Sequence, residues 1–266
     1  MKHLLLLIAI PFWVCASAQI LPNSFGFSTF SGENGVTSAD AFSLWNNPAM
    51  LSEDSICIGI SVEQVFANAE LFHFNLSGQF PTDFANIGVG VHRFGDELMN
   101  ETTLSLGAGK ELGEQIQVGA SILYINSFAE FAESASTIYP QLGMAYSFND
   151  RLNFGFTARN PLSQDLKEPW DQNLEAVYAL GVGYMASEDF STSLQADVNE
   201  EHGLAAGVGI DYRVFDLLSV QLGGKSNPGY VTGGITLRYN QIKGGIGASQ
   251  QSPLGLSPNA VFQTMF

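Results

Sequence analysis

The chain has 266 residues, 28 of them Gly and 20 Phe, and only 14% are charged. A formal net charge of −16 argues against nucleic acid as a partner, since a polyanion repels an acidic surface. Cysteine is too scarce for an internal disulfide or a cysteine metal site once the leader is removed, because Cys57 alone remains.

The first element is that leader. Met1-Lys2-His3 is short and basic, Leu4 to Val14 is apolar, and Ala16-Ser17-Ala18 is a small-residue exit before Gln19. This order reads as a secretory signal peptide over residues 1–18. The apolar run is too short for the roughly 20 residues of a spanning helix. A lipoprotein site at Cys15 would want a small residue where Val14 stands.

Residues 19–53 do not alternate cleanly. From about residue 54 to the end, apolar and small or polar residues alternate with period two. Over 229–239, Val231, Ile235, Leu237 and Tyr239 share one face, and Thr232, Gly234, Thr236 and Arg238 the other. Over 204–213, Leu204, Val208, Ile210 and Tyr212 oppose Ala205, Gly207, Gly209, Asp211 and Arg213. The polar face is Gly, Ser, Asn and Gln rather than the Lys and Glu of a watered surface. No apolar run after the leader reaches helix-spanning length, so a closed barrel is the remaining way to satisfy the backbone in lipid.

The pattern predicts an all-β fold, a transmembrane antiparallel barrel of about fourteen strands. The strands are predicted at 54–63, 70–80, 84–94, 99–110, 114–125, 136–148, 151–160, 174–186, 189–198, 203–213, 217–225, 229–239, 241–249 and 256–266. Alternate connections are brief, such as Asn149-Asp150 and Ser187-Glu188; the other set includes the longer 126–135 and 161–173. That matches short periplasmic turns and longer outer loops. Phe262 and the terminal Phe266 read as a barrel-assembly signal, which makes the assembly machinery a partner along with outer-membrane lipid and lipopolysaccharide. A barrel this wide is not filled by its wall side chains, so residues 19–53 are expected to plug the lumen and residues 54–266 to form the wall.

One stretch resembles a known family. Asn34-Gly35-Val36-Thr37-Ser38-Ala39-Asp40-Ala41, followed by Trp45-Asn46-Asn47-Pro48-Ala49-Met50, is similar to the N-terminal signature of FadL-type outer-membrane barrels, closest to the PorV-like branch. The resemblance implies a fourteen-stranded barrel with its N-terminal segment inside. It also implies either transport of hydrophobic small molecules or a part in type IX secretion in Bacteroidetes. Ser38, Asp40, Asn46, Asn47, Pro48 and Ala49 are the residues that match; Asn47 and Pro48 suit a turn at the junction with the first strand.

No catalytic motif stands out, and no cofactor is implied. His73 and His92 are the candidate metal pair, facing each other across a short turn at 81–83, but a third ligand is missing and the plainer reading is two polar lumen residues. Arg159, Asp197, Asp211 and Arg238, with Arg213 and Lys225, are expected to point inward as well. Asp96, Glu97, Glu101, Glu130, Glu133, Asp165, Glu168, Asp171, Glu175, Glu200 and Glu201 read as acidic outer loops, with divalent bridging to lipopolysaccharide as an alternative to plain solvation. The functional expectation is therefore a non-enzymatic outer-membrane barrel for hydrophobic solutes or secretion components. A non-conducting anchor and a general diffusion porin are the alternatives.

Overall fold

The computed structural model describes residues 24–51, 55–67, 70–130, 132–166, 173–199 and 203–266. The signal-peptide reading of residues 1–18 lies outside them, as do Glu168, Asp171, Glu200 and Glu201.

Fourteen antiparallel strands close into one barrel, each paired with its sequence neighbour and the last with the first. They are β1 (Cys57–Val65), β2 (Leu71–Phe80), β3 (Asn86–Gly95), β4 (Met99–Leu112), β5 (Ile116–Ala129), β6 (Ala132–Asn149) and β7 (Leu152–Arg159). The circuit continues through β8 (Val177–Ser187), β9 (Phe190–Asn199), β10 (Gly203–Phe215), β11 (Leu218–Ser226), β12 (Gly229–Tyr239), β13 (Ile242–Gln251) and β14 (Gly255–Met265).

The period-two pattern dictates which way each residue faces. Ile58, Ile60 and Val62 of β1, Phe72, Phe74 and Leu76 of β2, and Leu104 and Leu106 of β4 are exposed on the outside. Their neighbours on the other face carry Gly59, Ser77, Asn75 and Ser105 inward. The outer band continues through Leu180, Leu194, Leu222 and Ile246, and so runs around the circumference. An apolar surface of that extent is stable in lipid rather than water. Aromatics lie near both edges of the band: Phe148, Tyr184, Phe215 and Tyr239 towards the short turns, Phe72, Phe128 and Tyr178 towards the other end. Among the described residues no helix is long and apolar enough to cross a membrane.

Two sequence expectations are corrected. The stretch 126–135 is not a long loop: β5 runs to Ala129, β6 starts at Ala132, and Ala129 pairs with Ala132. Beyond Phe128, at the edge of the outer band, its residues are mostly small or acidic and carry no apolar period, and backbone pairing continues the ladder where no apolar face is needed. Glu101 is not a loop residue: it lies within β4, opposite Phe94 and Ser127, and is buried.

Residues 24–51 precede the wall. They form a 3₁₀ turn Gly26–Ser31, a one-turn helix α1 (Ser43–Asn46) and a second 3₁₀ turn Pro48–Met50. Phe25, Phe27, Phe30, Phe42, Leu44, Trp45 and Leu51 are all buried, packed with Cys57, Leu123, Ile125, Tyr139 and Val261 of the wall. The core of this protein is therefore the contact between that segment and the inner face of the barrel.

Candidate functional site: the lumen

The segment 24–51 reaches opposite walls. The Phe30 ring lies on β12 and β13, where a Cβ added at Gly234, Gly245 or Gly247 would come within 2.6, 2.7 or 2.5 Å of it. At its other end the Pro48 backbone lies on β5, within 2.2 Å of a Cβ added at Gly119. β5 and β12 are seven places apart in a ring of fourteen, so they face each other across the lumen. Glycine at these inner positions admits the approach, because any side chain would occupy the same space.

Local chemistry shapes the segment. The Asp40 side chain accepts the Phe42 amide at 2.8 Å, and the Ser43 hydroxyl donates to Asp40 O at 2.8 Å, so this turn leads directly into α1. Ser38 donates its amide to Gly35 O. Asn46 is a clasp: its Oδ1 accepts the Phe25 amide at 2.8 Å and its Nδ2 donates to Phe25 O at 3.0 Å. Asn47 begins the second 3₁₀ turn, with its Oδ1 accepting the Ala49 amide at 3.0 Å and Pro48 preset for the first turn position. Its Nδ2 donates to Val36 O at 2.8 Å and to Met144 O of β6 at 3.3 Å. Ala49 is fully buried.

The wall holds the segment in return. Thr232 of β12 accepts the Gly32 amide at 2.9 Å and donates to Phe30 O at 2.9 Å. Gln195 of β9 accepts the Val36 amide at 3.1 Å and donates to Asp197 at 2.7 Å. Gln141 of β6 donates to Trp45 O at 3.1 Å, and Arg159 of β7 reaches the same oxygen at 3.4 Å. Asn259 of β14 donates to Thr29 at 3.1 Å. The Lys225 ammonium of β11, with no side-chain exposure, lies 2.7 Å from Asp197 and 3.3 Å from Glu33. Lys243 of β13 sits 3.9 Å from the centre of the Phe27 ring.

Arg159 and Asp197 are thus part of this contact. Asp211 accepts from Gln221 at 2.6 Å and, with Arg238, lines a cavity of about 840 Å³ at the short-turn end, bounded on the segment's side by Ser38 and Asp40. His73 and His92 meet, with Nδ1 and Nε2 3.0 Å apart, but diagonally: His73 lies opposite Phe94 and His92 opposite Asn75. The direct pairing expected from a three-residue turn gives way because β3 starts only at Asn86. The rings of Phe25 and Trp45 pack edgewise on His92. Among the described residues no group of three His, Cys, Asp or Glu is placed to hold a metal ion. Phe262 faces outward on β14, and the amide of the exposed Phe266 donates to Ile56 O at 2.9 Å across the β1–β14 seam.

Sequence reasoning missed Glu33, Gln141, Gln195, Thr232 and Asn259. The inward parity of the four strand residues was readable, while Glu33 lies in the segment, which has no period; their partners, some 95 to 230 residues away, were not readable.

No family model and no curated protein sequence matches the chain. Solved structures do. The Ralstonia pickettii toluene transporter TbuX superposes with a TM-score of 0.67 at 12% identity, covering 92% of this chain and 99% of its own. A monoaromatic hydrocarbon channel, CymD, gives 0.70 at 12%, covering 91% and 98%. A Pseudomonas aeruginosa FadL homologue gives 0.62 at 11%, covering 92% and 98%. At these identities the likeness is one of fold, the closed fourteen-strand barrel.

Proposed function

We propose that this barrel spans the outer membrane, short turns towards the periplasm, and admits small hydrophobic molecules past residues 24–51, which act as its plug. The observation that carries the reading is the segment itself. It lies between β5 and β12 inside a closed wall with an apolar outer band, and wall side chains hydrogen-bond it. Two of the similar structures are described as a toluene transporter and a monoaromatic hydrocarbon channel, which supports a solute of that general kind. The exposed apolar outer band supports the location. The test is uptake of radiolabelled toluene by cells displaying the chain, beside single-channel recordings of the intact protein. Chain-dependent uptake with little resting conductance is the expected result. Large steady conductance from the intact barrel would make it an open porin instead.

A second reading takes the same filled lumen as permanent. The barrel is then a non-conducting anchor for a secretion complex, as the PorV-like resemblance implies. The brief connection 227–228 at the outer end keeps that part of the rim low, which suits a docked partner. Crosslinked co-purification of partner proteins, with no chain-dependent uptake, would favour it.

A further inference from the structure

One sector of the inner wall differs from the rest. On β2, β4 and β5, Asn75, Ser77, Gln79, Thr103, Ser105 and Ser121 face inward, and each is at most 5% exposed. None of their hydroxyls or amides has a hydrogen-bond partner; for Asn75 and Gln79 this holds for both ends of the amide. Native folds keep only a few such groups, because each has given up water without a replacement. Here six side chains in one patch have no hydrogen-bond partner within the protein.

The patch surrounds a trough. Gly90 lies opposite Ser77 and Ser105, Gly88 opposite Gln79 and Gly107, and Gly107 opposite Ser121. The floor is thus bare backbone, and hydroxyls and amides form the rim. The chain's own apolar side chains lie in it: a Cβ at Gly90 would come within 2.7 Å of the Trp45 indole, and one at Gly107 within 2.8 Å of Leu44. The indole N–H of Trp45 is itself buried without a partner. A flat ring fits the space, yet the polar rim does not serve it. By contrast, β9, β11, β12 and β14 hold residues 29–36 through matched hydrogen bonds and the Lys225 contact.

The geometry points to this trough as the binding site for a neutral aromatic solute that carries a hydrogen-bonding group, of the phenol or indole class, with Trp45 occupying the site until the solute displaces it. The inference rests on the channel reading above and adds its path and selectivity. Bare glycine floor selects a planar ring. The six hydroxyl and amide rim groups, with the likewise unpartnered Nδ1 of His92 between Asn75 and Thr103, select a hydrogen-bonding group on that ring, and disfavour a plain hydrocarbon that would leave them all unserved. The arc from β9 to β14 is the fixed side of the segment, and the arc from β2 to β5 is the side that yields.

The test compares uptake of radiolabelled phenol and toluene in cells displaying the full chain, cells lacking it, and cells with Ser77→Ala together with Ser105→Ala. These replacements remove each hydroxyl without adding volume beside Gly90, and the heat-dependent gel shift of a folded barrel checks assembly. The expected result is that the double variant lowers the phenol-to-toluene uptake ratio about fivefold or more. A second readout uses the purified Trp170→Phe protein, in which Trp45 is the remaining tryptophan of the mature chain. Phenol should shift Trp45 emission to the red as the indole leaves its buried position. An unchanged ratio, or phenol without effect on Trp45, overturns the inference. So does uptake of toluene but not phenol, which leaves the channel reading standing. If uptake of neither solute depends on the chain, the channel reading itself fails.

Discussion

Lys225→Met is the sharpest test of how residues 24–51 are held. Lys225 has no side-chain exposure, and its ammonium serves two carboxylates, Asp197 on the wall at 2.7 Å and Glu33 on the segment at 3.3 Å. Removing one partner from a buried charge cluster costs about 3–5 kcal/mol, because the remaining charge stays desolvated and unpaired. Glu33 keeps 23% side-chain exposure, so the lower figure applies to it. Asp197 remains on the wall whether or not the segment is docked. The differential effect on docking is then about 3 kcal/mol, roughly a hundredfold shift towards the undocked state. Glu33→Gln should be much milder, since Lys225 and Asp197 remain paired and the amide still accepts. The assay is the open fraction in single-channel recordings, paired with protease sensitivity of residues 24–51. A Lys225→Met barrel that assembles normally yet matches the parent in both would refute the reasoning. So would Glu33→Gln opening as much as Lys225→Met.

Three further outcomes are expected. Gly247→Leu, whose Cβ falls 2.5 Å from the Phe30 ring, should raise the open fraction; adding Phe30→Ala should recover docking, a non-additive pair that a double-mutant cycle will resolve. Asn47→Ala removes the side-chain acceptor of the Ala49 amide and the donor to Val36 O, and should weaken the Pro48–Met50 turn by about 1–2 kcal/mol. Faster hydrogen exchange at Ala49 with unchanged exchange in β9 and β10 is the check. Deleting Phe266, whose amide bonds Ile56 O at the closing seam, should lower the amount of heat-modifiable barrel in the outer membrane severalfold; unchanged levels would remove the residue from the assembly signal.

The barrel was legible because its period is local. Whether Leu222 faces out and Gln221 in is decided by neighbours two residues apart, and the strand count follows from repeating that test along the chain. The pattern ran out past Phe128, where the strands outlast the apolar band and no alternation of side chains marks them. Glu101 was misread for the opposite reason: charge marks solvent in most sequences, whereas β4 carries this carboxylate inward to a buried place near Ser127. The contacts of residues 24–51 are harder still. Gly234, Gly245 and Gly247 show that something approaches the inner wall at β12 and β13, but nothing local says that it is Phe30. The trough around Gly90 has the same character, since its rim and its occupant come from separate parts of the chain.

Charge placement adds a step that neither pattern nor packing supplies. The chain has 26 acidic residues and only 10 Lys or Arg, so each cation could find an acidic neighbour on the surface. Three of them instead touch residues 24–51: Lys225 at Glu33, Arg159 at Trp45 O, and Lys243 over the Phe27 ring. They come from β11, β7 and β13 and meet the segment at three separate points along its length. Apolar packing alone would let the segment slide, because hydrophobic contact has no direction. Cationic contacts of defined geometry fix its position instead, and none of the three comes from the arc β2 to β5. A solute that loosens the segment therefore has one sector in which to do so, the sector whose hydroxyls and amides still lack partners.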